Sequence, residues 1–189
     1  TRTIYLPLVL RSYAVAPDLT VERIVATTGR IQVVIANHGA VPVEADYANE
    51  FWVDLYVDPD RAPAAVNETW KHVGSHGAVW GVTIDALPLD PGQVMTLTVT
   101  SAGGAPYYRP ELSALSWPLA AGTQIYAQVD SAHTNIPYGA IYENHEITGA
   151  PYENNILGPT VSTTAVGGEA LPPGEQMPMT RSKHLPPRP

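Results

Sequence analysis

Six histidines and a scatter of carboxylates are the residues of this chain with chemistry to offer, and their spacing decides how much. His38, His72, His76, His133, His145 and His184 are dispersed, and only His72 and His76 stand four apart. That spacing makes a metal pair on a helix, but the intervening Val73-Gly74-Ser75 is not a helical sequence, so no zinc site is expected. Gly74-Ser75-His76-Gly77 lacks the G-x-S-x-G elbow, and nothing places a nucleophile, a base and an orienting group together. Cysteine is absent, which removes thiolate catalysis, thiolate metal sites and disulfides. Among the acids, Asp54, Asp58 and Asp60 lie at and beyond the end of one apolar run, while Asp130, Glu143, Glu146 and Glu153 lie late in the chain. Oxygen-rich loop ends suit Ca²⁺, but no D-x-D-x-D-G loop is present, and Asp54 and Asp58 read as the solvated positions of an alternating strand. No catalytic residue, cofactor or metal ligand is expected; a structural calcium is the one ion that such loop ends would suit.

Two further residue types bear on binding. Trp52, Trp70, Trp80 and Trp117 would form a sugar-stacking platform if exposed together, or would seal loops over a core if not. Asn67-Glu68-Thr69 is a single glycosylation sequon in an expected loop, and it matters only on an exported chain.

The elements that must position these residues are strands. Nineteen Pro and fifteen Gly are spread along the 189 residues, and no segment carries a 3.6-residue apolar stripe. A net charge of −8 argues against nucleic acid, whose phosphates need clustered Lys and Arg. Pro17 to Ala26 reads as a strand, and after the Thr28-Gly29 turn Ile31, Val33 and Ile35 alternate in a second. The clearest alternation follows, with Phe51, Val53, Leu55 and Val57 inward and Trp52, Asp54, Tyr56 and Asp58 outward. Residues 59–80 read as a long polar excursion. Met95, Leu97 and Val99, then Ile125, Ala127 and Val129, mark two more strands, and a last strand region is expected around IYENHEI and YENNIL. About seven short strands without helices predict an all-β sandwich.

The order PDLTVERI, IQVVIANHG, FWVDLYVDP, LPLDPGQVMTLTV, IYAQVDS and YENNIL resembles a CARDB module (cell adhesion related domain found in bacteria). The likeness covers about residues 17–160. It rests on Pro17-Asp18-Leu19, Asn37-x-Gly39, Leu89-x-Pro91-Gly92, Val129-Asp130 and the closing Glu and Asn residues. The usual close, Glu-x-Asn-Glu-x-Asn-Asn, is split here: Glu143-Asn144-His145-Glu146 stands apart from Glu153-Asn154-Asn155, with ITGAPY between them. The resemblance implies an immunoglobulin-like β-sandwich, an adhesion role and a place at the cell surface.

The remaining question is the opening TRTIYLPLVLRSY. Its seven apolar residues are too few for a membrane helix, and Pro7 would interrupt one. As a strand, it sets Ile4, Leu6, Leu8 and Leu10 on one face. It then either closes its own sheet or adds to the sheet of a neighbouring copy, and head-to-tail addition builds a filament. The chain opens on Thr1 rather than Met, which points to a processed chain or a segment of a longer one. The expected organisation is an apolar arm over 1–16, a sandwich over 17–162 and an extended Pro/Gly-rich tail over 163–189. The expected function is that of a non-enzymatic extracellular structural or adhesion protein whose partners are copies of itself or other surface proteins. The alternative is a carbohydrate- or ligand-binding accessory module.

Overall fold

A computed structural model of the chain describes residues 15–104, 106–148, 154–164 and 185–189. These form eight strands in two antiparallel four-stranded sheets, an all-β sandwich. The first sheet runs β1 (Leu19–Thr27), β2 (Arg30–Asn37), β5 (Val94–Thr100) and β6 (Gly103–Gly104). The second runs β4 (His76–Val82), β3 (Phe51–Val57), β7 (Gln124–Val129) and β8 (Ile156–Val161). Two short helices, α1 (Trp70–Val73) and α2 (Asn144–Thr148), sit outside the sheets.

The alternating residues fill the space between the sheets as expected. Ile31, Val33, Ile35, Phe51, Val53, Leu55, Leu97, Val99, Ile125, Ala127 and Val129 all belong to one buried cluster. In β1 the buried positions change parity, from Leu19 and Val21 to Ile24 and Ala26. A register shift between Val21 and Arg23 accounts for it, because one extra residue turns the rest of the strand over.

Three expectations are corrected. The excursion at 59–80 contains α1 and most of β4, which pairs along the whole of β3. The segment IYENHEI is not strand; it carries α2, and among the described residues strand resumes at Ile156. The outward face of β3 is not solvated: every residue of β3 is buried. Trp52, Tyr56, Trp70, Val73, Val79 and Ala132 form a second apolar cluster on that face, with Leu112, Tyr126 and Leu185 packed against it. Glycine makes this outer layer fit. Gly77 and Gly81 share the outward face of β4 with Val79, and a Cβ at Gly77 would overlap the Trp70 ring and the Leu55 carbonyl. At Gly81 a Cβ would lie 2.5 Å from the Leu185 side chain. A third layer thus covers one face of the sandwich.

Residues 185–189 belong to that layer. The Trp52 indole N–H donates to the Pro186 carbonyl (2.8 Å), and the Thr134 N–H donates to the Pro187 carbonyl (2.8 Å). Arg188 grips Asp54 with two guanidinium nitrogens, at 2.7 and 2.5 Å, and lies over the Trp52 ring. Asp54, read from the sequence as a solvated position, is fully buried.

Candidate functional site

One end of the sandwich gathers the polar residues of the motif segments and three of the late acids. Two knots of hydrogen bonds lie there. The first is built on Asn37, at the end of β2. Its side-chain oxygen accepts the N–H groups of Asp18 (3.0 Å) and Gly39 (2.9 Å). Its amide donates to the carbonyls of Val41 (2.8 Å) and Leu89 (2.9 Å). Its own carbonyl accepts the Gly92 N–H at 2.7 Å. Every polar atom of a wholly buried asparagine is thereby used, which is the condition for burying it. The three segments Pro17-Asp18-Leu19, Asn37-x-Gly39 and Leu89-x-Pro91-Gly92 are thus parts of one fastening.

The second knot is built on Glu143, also wholly buried. One oxygen accepts the Leu19 N–H in a short bond, and the other accepts from the Asn155 amide at 2.8 Å. The Asn155 carbonyl in turn accepts the Val129 N–H at 2.9 Å. Glu143 therefore ties the start of β1 to the segment leading into β8. Beside it, Asp130 follows β7 with φ of 48° and accepts the N–H groups of Ala140 and Ile141, both at 2.8 Å. The loop approaches this carboxylate so closely that a Cβ at Gly139 would overlap it. Glu146, in α2, accepts the Glu143 N–H at 2.5 Å.

Asp18 and His145 complete the group. His145 Nδ1 lies 3.5 Å from Asp18 Oδ1 and 3.9 Å from Glu143 Oε2. His145 Nε2 lies 2.8 Å from Glu146 Oε1. Asn154 donates to Asp18 at 2.7 Å. Asp18, Glu143 and Glu146 thus converge on a single imidazole, and among the described residues no Lys or Arg pairs with any of them or with Asp130.

The electrostatics follow. Burial pushes Asp130 up to about 7; its two backbone N–H bonds oppose the shift without reversing it. Burial also raises Glu143 well above the carboxylate range, and Asp130 adds to it. For His145, burial disfavours the charged form, but hydrogen bonding and attraction from Glu146 and Asp18 prevail and its pKa lies above the usual value. All three groups bind protons more tightly folded than unfolded. Stability from each is therefore present below its unfolded pKa and is lost as pH rises through its folded one. Through Asp130 the protein is expected to lose stability as pH rises from about 4 to about 7. Urea melts across that range should show the wild-type advantage over Asp130→Asn shrinking as pH rises; a constant difference would show that Asp130 ionises in the folded state as freely as in water.

The other sequence candidates are dispersed. His72 caps its own helix, with Nδ1 accepting the Thr69 N–H at 3.2 Å, and His76 stands exposed at the head of β4. Asp58 and Asp60 are exposed. Of the late acids, Asp130, Glu143 and Glu146 meet, whereas Glu153 lies outside the described residues. Ile4, Leu6, Leu8 and Leu10 also lie outside them. Asn67 is half-buried, and its amide nitrogen, the atom a glycan would occupy, donates to the His133 and Ile136 carbonyls. Trp52, Trp70 and Trp80 are buried, and Trp117 packs partly buried against the core, so the four form no exposed platform. Sequence reasoning counted Asp18 only as part of the opening Pro17-Asp18-Leu19 and His145 only as one scattered histidine. The signal was the run Glu143-Asn144-His145-Glu146, with three ligand-type side chains in four residues.

Among the described residues, no helix is long and apolar enough to cross a membrane. Compared with protein-family models and with curated protein sequences, the chain matches none.

Proposed function

We propose that the chain is a non-enzymatic structural or adhesive module of the cell surface, an immunoglobulin-like sandwich that joins copies of itself by strand addition. The observation that carries this reading is the unfinished edge of the first sheet. Among the described residues, β6 reaches only Val99 and Thr100 of β5, so 94–98 has no strand on that side. Val94 there is 59% exposed. Open edges of this kind are usually short, charged or covered, because they pair readily with other chains. A stretch of five residues suits the arm with Ile4, Leu6, Leu8 and Leu10 on one face, entering as an added strand.

Two further features support the reading. The residues that carry the CARDB resemblance are spent on fastening the sandwich end, as expected of a module that holds a shape. The strand orders, with β5 beside β2 and β7 beside β3, are of the crossed kind that immunoglobulin-like sandwiches use.

The test is removal of residues 1–13. The shortened protein is expected to stay folded and monomeric by light scattering, and to bind the synthetic peptide TRTIYLPLVLRSY saturably. Filaments or oligomers from the shortened protein, or failure of the peptide to bind it, would end the strand-addition reading.

A further inference from the structure

The cluster at the sandwich end has a geometry that hydrogen bonding alone does not use up. Asp18 Oδ, Glu143 Oε and His145 Nδ1 offer three ligand atoms within 4.8 Å of one another. Two of the edges are 3.5 and 3.9 Å. With those edges fixed and the third no longer than 4.8 Å, an ion in the plane of the three atoms sits at roughly 2.0–2.4 Å from each, the range of metal–ligand bonds.

Each of the three is also held from behind. Glu146 lies against His145 Nε2, which leaves Nδ1 turned to Asp18 and Glu143. Asn154 holds Asp18, and Asn155 with the Leu19 N–H holds Glu143. A carboxylate behind the far nitrogen of a histidine is the usual support for a ligating imidazole.

A separate observation points the same way. Asn155 is fully buried, and among the described residues its side-chain oxygen has no donor; the buried side-chain oxygen of Asn154 has none there either. These bare oxygens belong to the carboxamides that clasp Glu143 and Asp18, so they border the acidic cluster. A buried acceptor without a donor is costly, and a cation satisfies it as well as a hydrogen would.

We propose that Asp18, Glu143 and His145 bind a divalent cation of the imidazole-accepting class, zinc or a neighbour of it, with Asn154 and Asn155 oxygens at its edge. One nitrogen among the ligands separates this class from calcium, which takes oxygens. The ion ties the start of β1 to α2 and to the segment entering β8. It supplies a fixed positive charge, which among the described residues no Lys or Arg brings to the cluster. The proposal is independent of the strand-addition reading.

The test uses the full chain stripped with a chelator and then titrated with Zn²⁺, Co²⁺ or Ca²⁺. Zn²⁺ at about a hundred times its dissociation constant should raise Tm by roughly 5–10 °C. Co²⁺ should bind at one equivalent with visible d–d absorption. His145→Gln and Asp18→Asn should each weaken binding at least tenfold and abolish the Co²⁺ spectrum. Either variant can be read if the other fails to fold, because Asp18 and His145 stand on different segments. A Tm that ignores Zn²⁺, or a Zn²⁺ shift that survives both substitutions and so belongs to surface histidines, would overturn the site. Stabilisation by Ca²⁺ alone would overturn the assigned ion class.

Discussion

Arg188→Ala is expected to destabilise the protein by about 3–5 kcal/mol, far more than the loss of an exposed ion pair would. The reason lies in Asp54. It stands on β3, a central strand paired along its length on one side and over most of it on the other, and it is fully buried. Arg188 supplies two charge-assisted bonds to it, and the guanidinium also covers the Trp52 ring. Without Arg188 the carboxylate keeps the Ser131 hydroxyl at 2.5 Å and a long contact from the Trp70 N–H at 3.4 Å. Neither carries charge, so an ionised group would remain buried and uncompensated.

The effect belongs to the unpaired charge rather than to the net worth of the pair. The double variant Asp54→Asn, Arg188→Met should therefore recover most of the loss. Arg188→Lys should not, because an ammonium cannot replace the two-pronged grip. The exposed Arg61–Glu68 pair serves as the control, since Arg61 is 55% exposed and its removal should scarcely register. Thermal melts would show the difference as a Tm lower by roughly 6–20 °C for Arg188→Ala. A shift no larger than that of Arg61→Ala would show that residues 185–189 do not hold Asp54 in solution.

This contact marks where the sequence stops being legible. Strict alternation at Phe51, Val53, Leu55 and Val57 shows which face of β3 meets the main core, and that face is buried as read. Alternation cannot say whether the opposite face meets water, because a buried Asp with a distant partner looks the same as a solvated one. The partner of Asp54 is 134 residues away. β4 was hidden for a related reason. Its outward positions are Gly77, Val79 and Gly81, so the polar half of the period-two pattern is missing, and the surrounding Pro and polar residues read as loop.

The sandwich end was legible in its parts and not in its assembly. The motif segments could be read in order, but their convergence on Asn37 and Glu143 depends on pairings such as Leu19 with Glu143, across 124 residues. The acids Asp130, Glu143 and Glu146 were marked as a group, whereas Asp18 sits at the far end of the described chain from them. Spacing rules for metal ligands work where the ligands share a loop or a helix. Here they are recruited from the start of β1 and from α2, and only the fold brings them together.

Trp80→Ala is the other change with a large expected cost, again about 3–5 kcal/mol. Trp80 is wholly buried on β4 and belongs to the cluster between the sheets. Its indole N–H reaches across to the Thr98 carbonyl on β5, in the opposite sheet, and its ring tilts against Tyr108 with centroids 6.2 Å apart. At 3.4 Å the hydrogen bond is long, so packing should dominate. Trp80→Phe, which keeps most of the apolar volume and loses the N–H, should then cost much less than Trp80→Ala. Trp117, partly buried at the margin of the same core, should also cost less. Urea melts of the three variants would order them as Trp80→Ala, then Trp80→Phe and Trp117→Ala. The same series weighs the aromatic residues as a binding surface: tryptophans that stacked on a ligand would be exposed, and their loss would weaken binding while leaving stability near its starting value. A cost concentrated at Trp80 means that its ring serves to join two sheets, and a sugar platform would have to be sought on other residues.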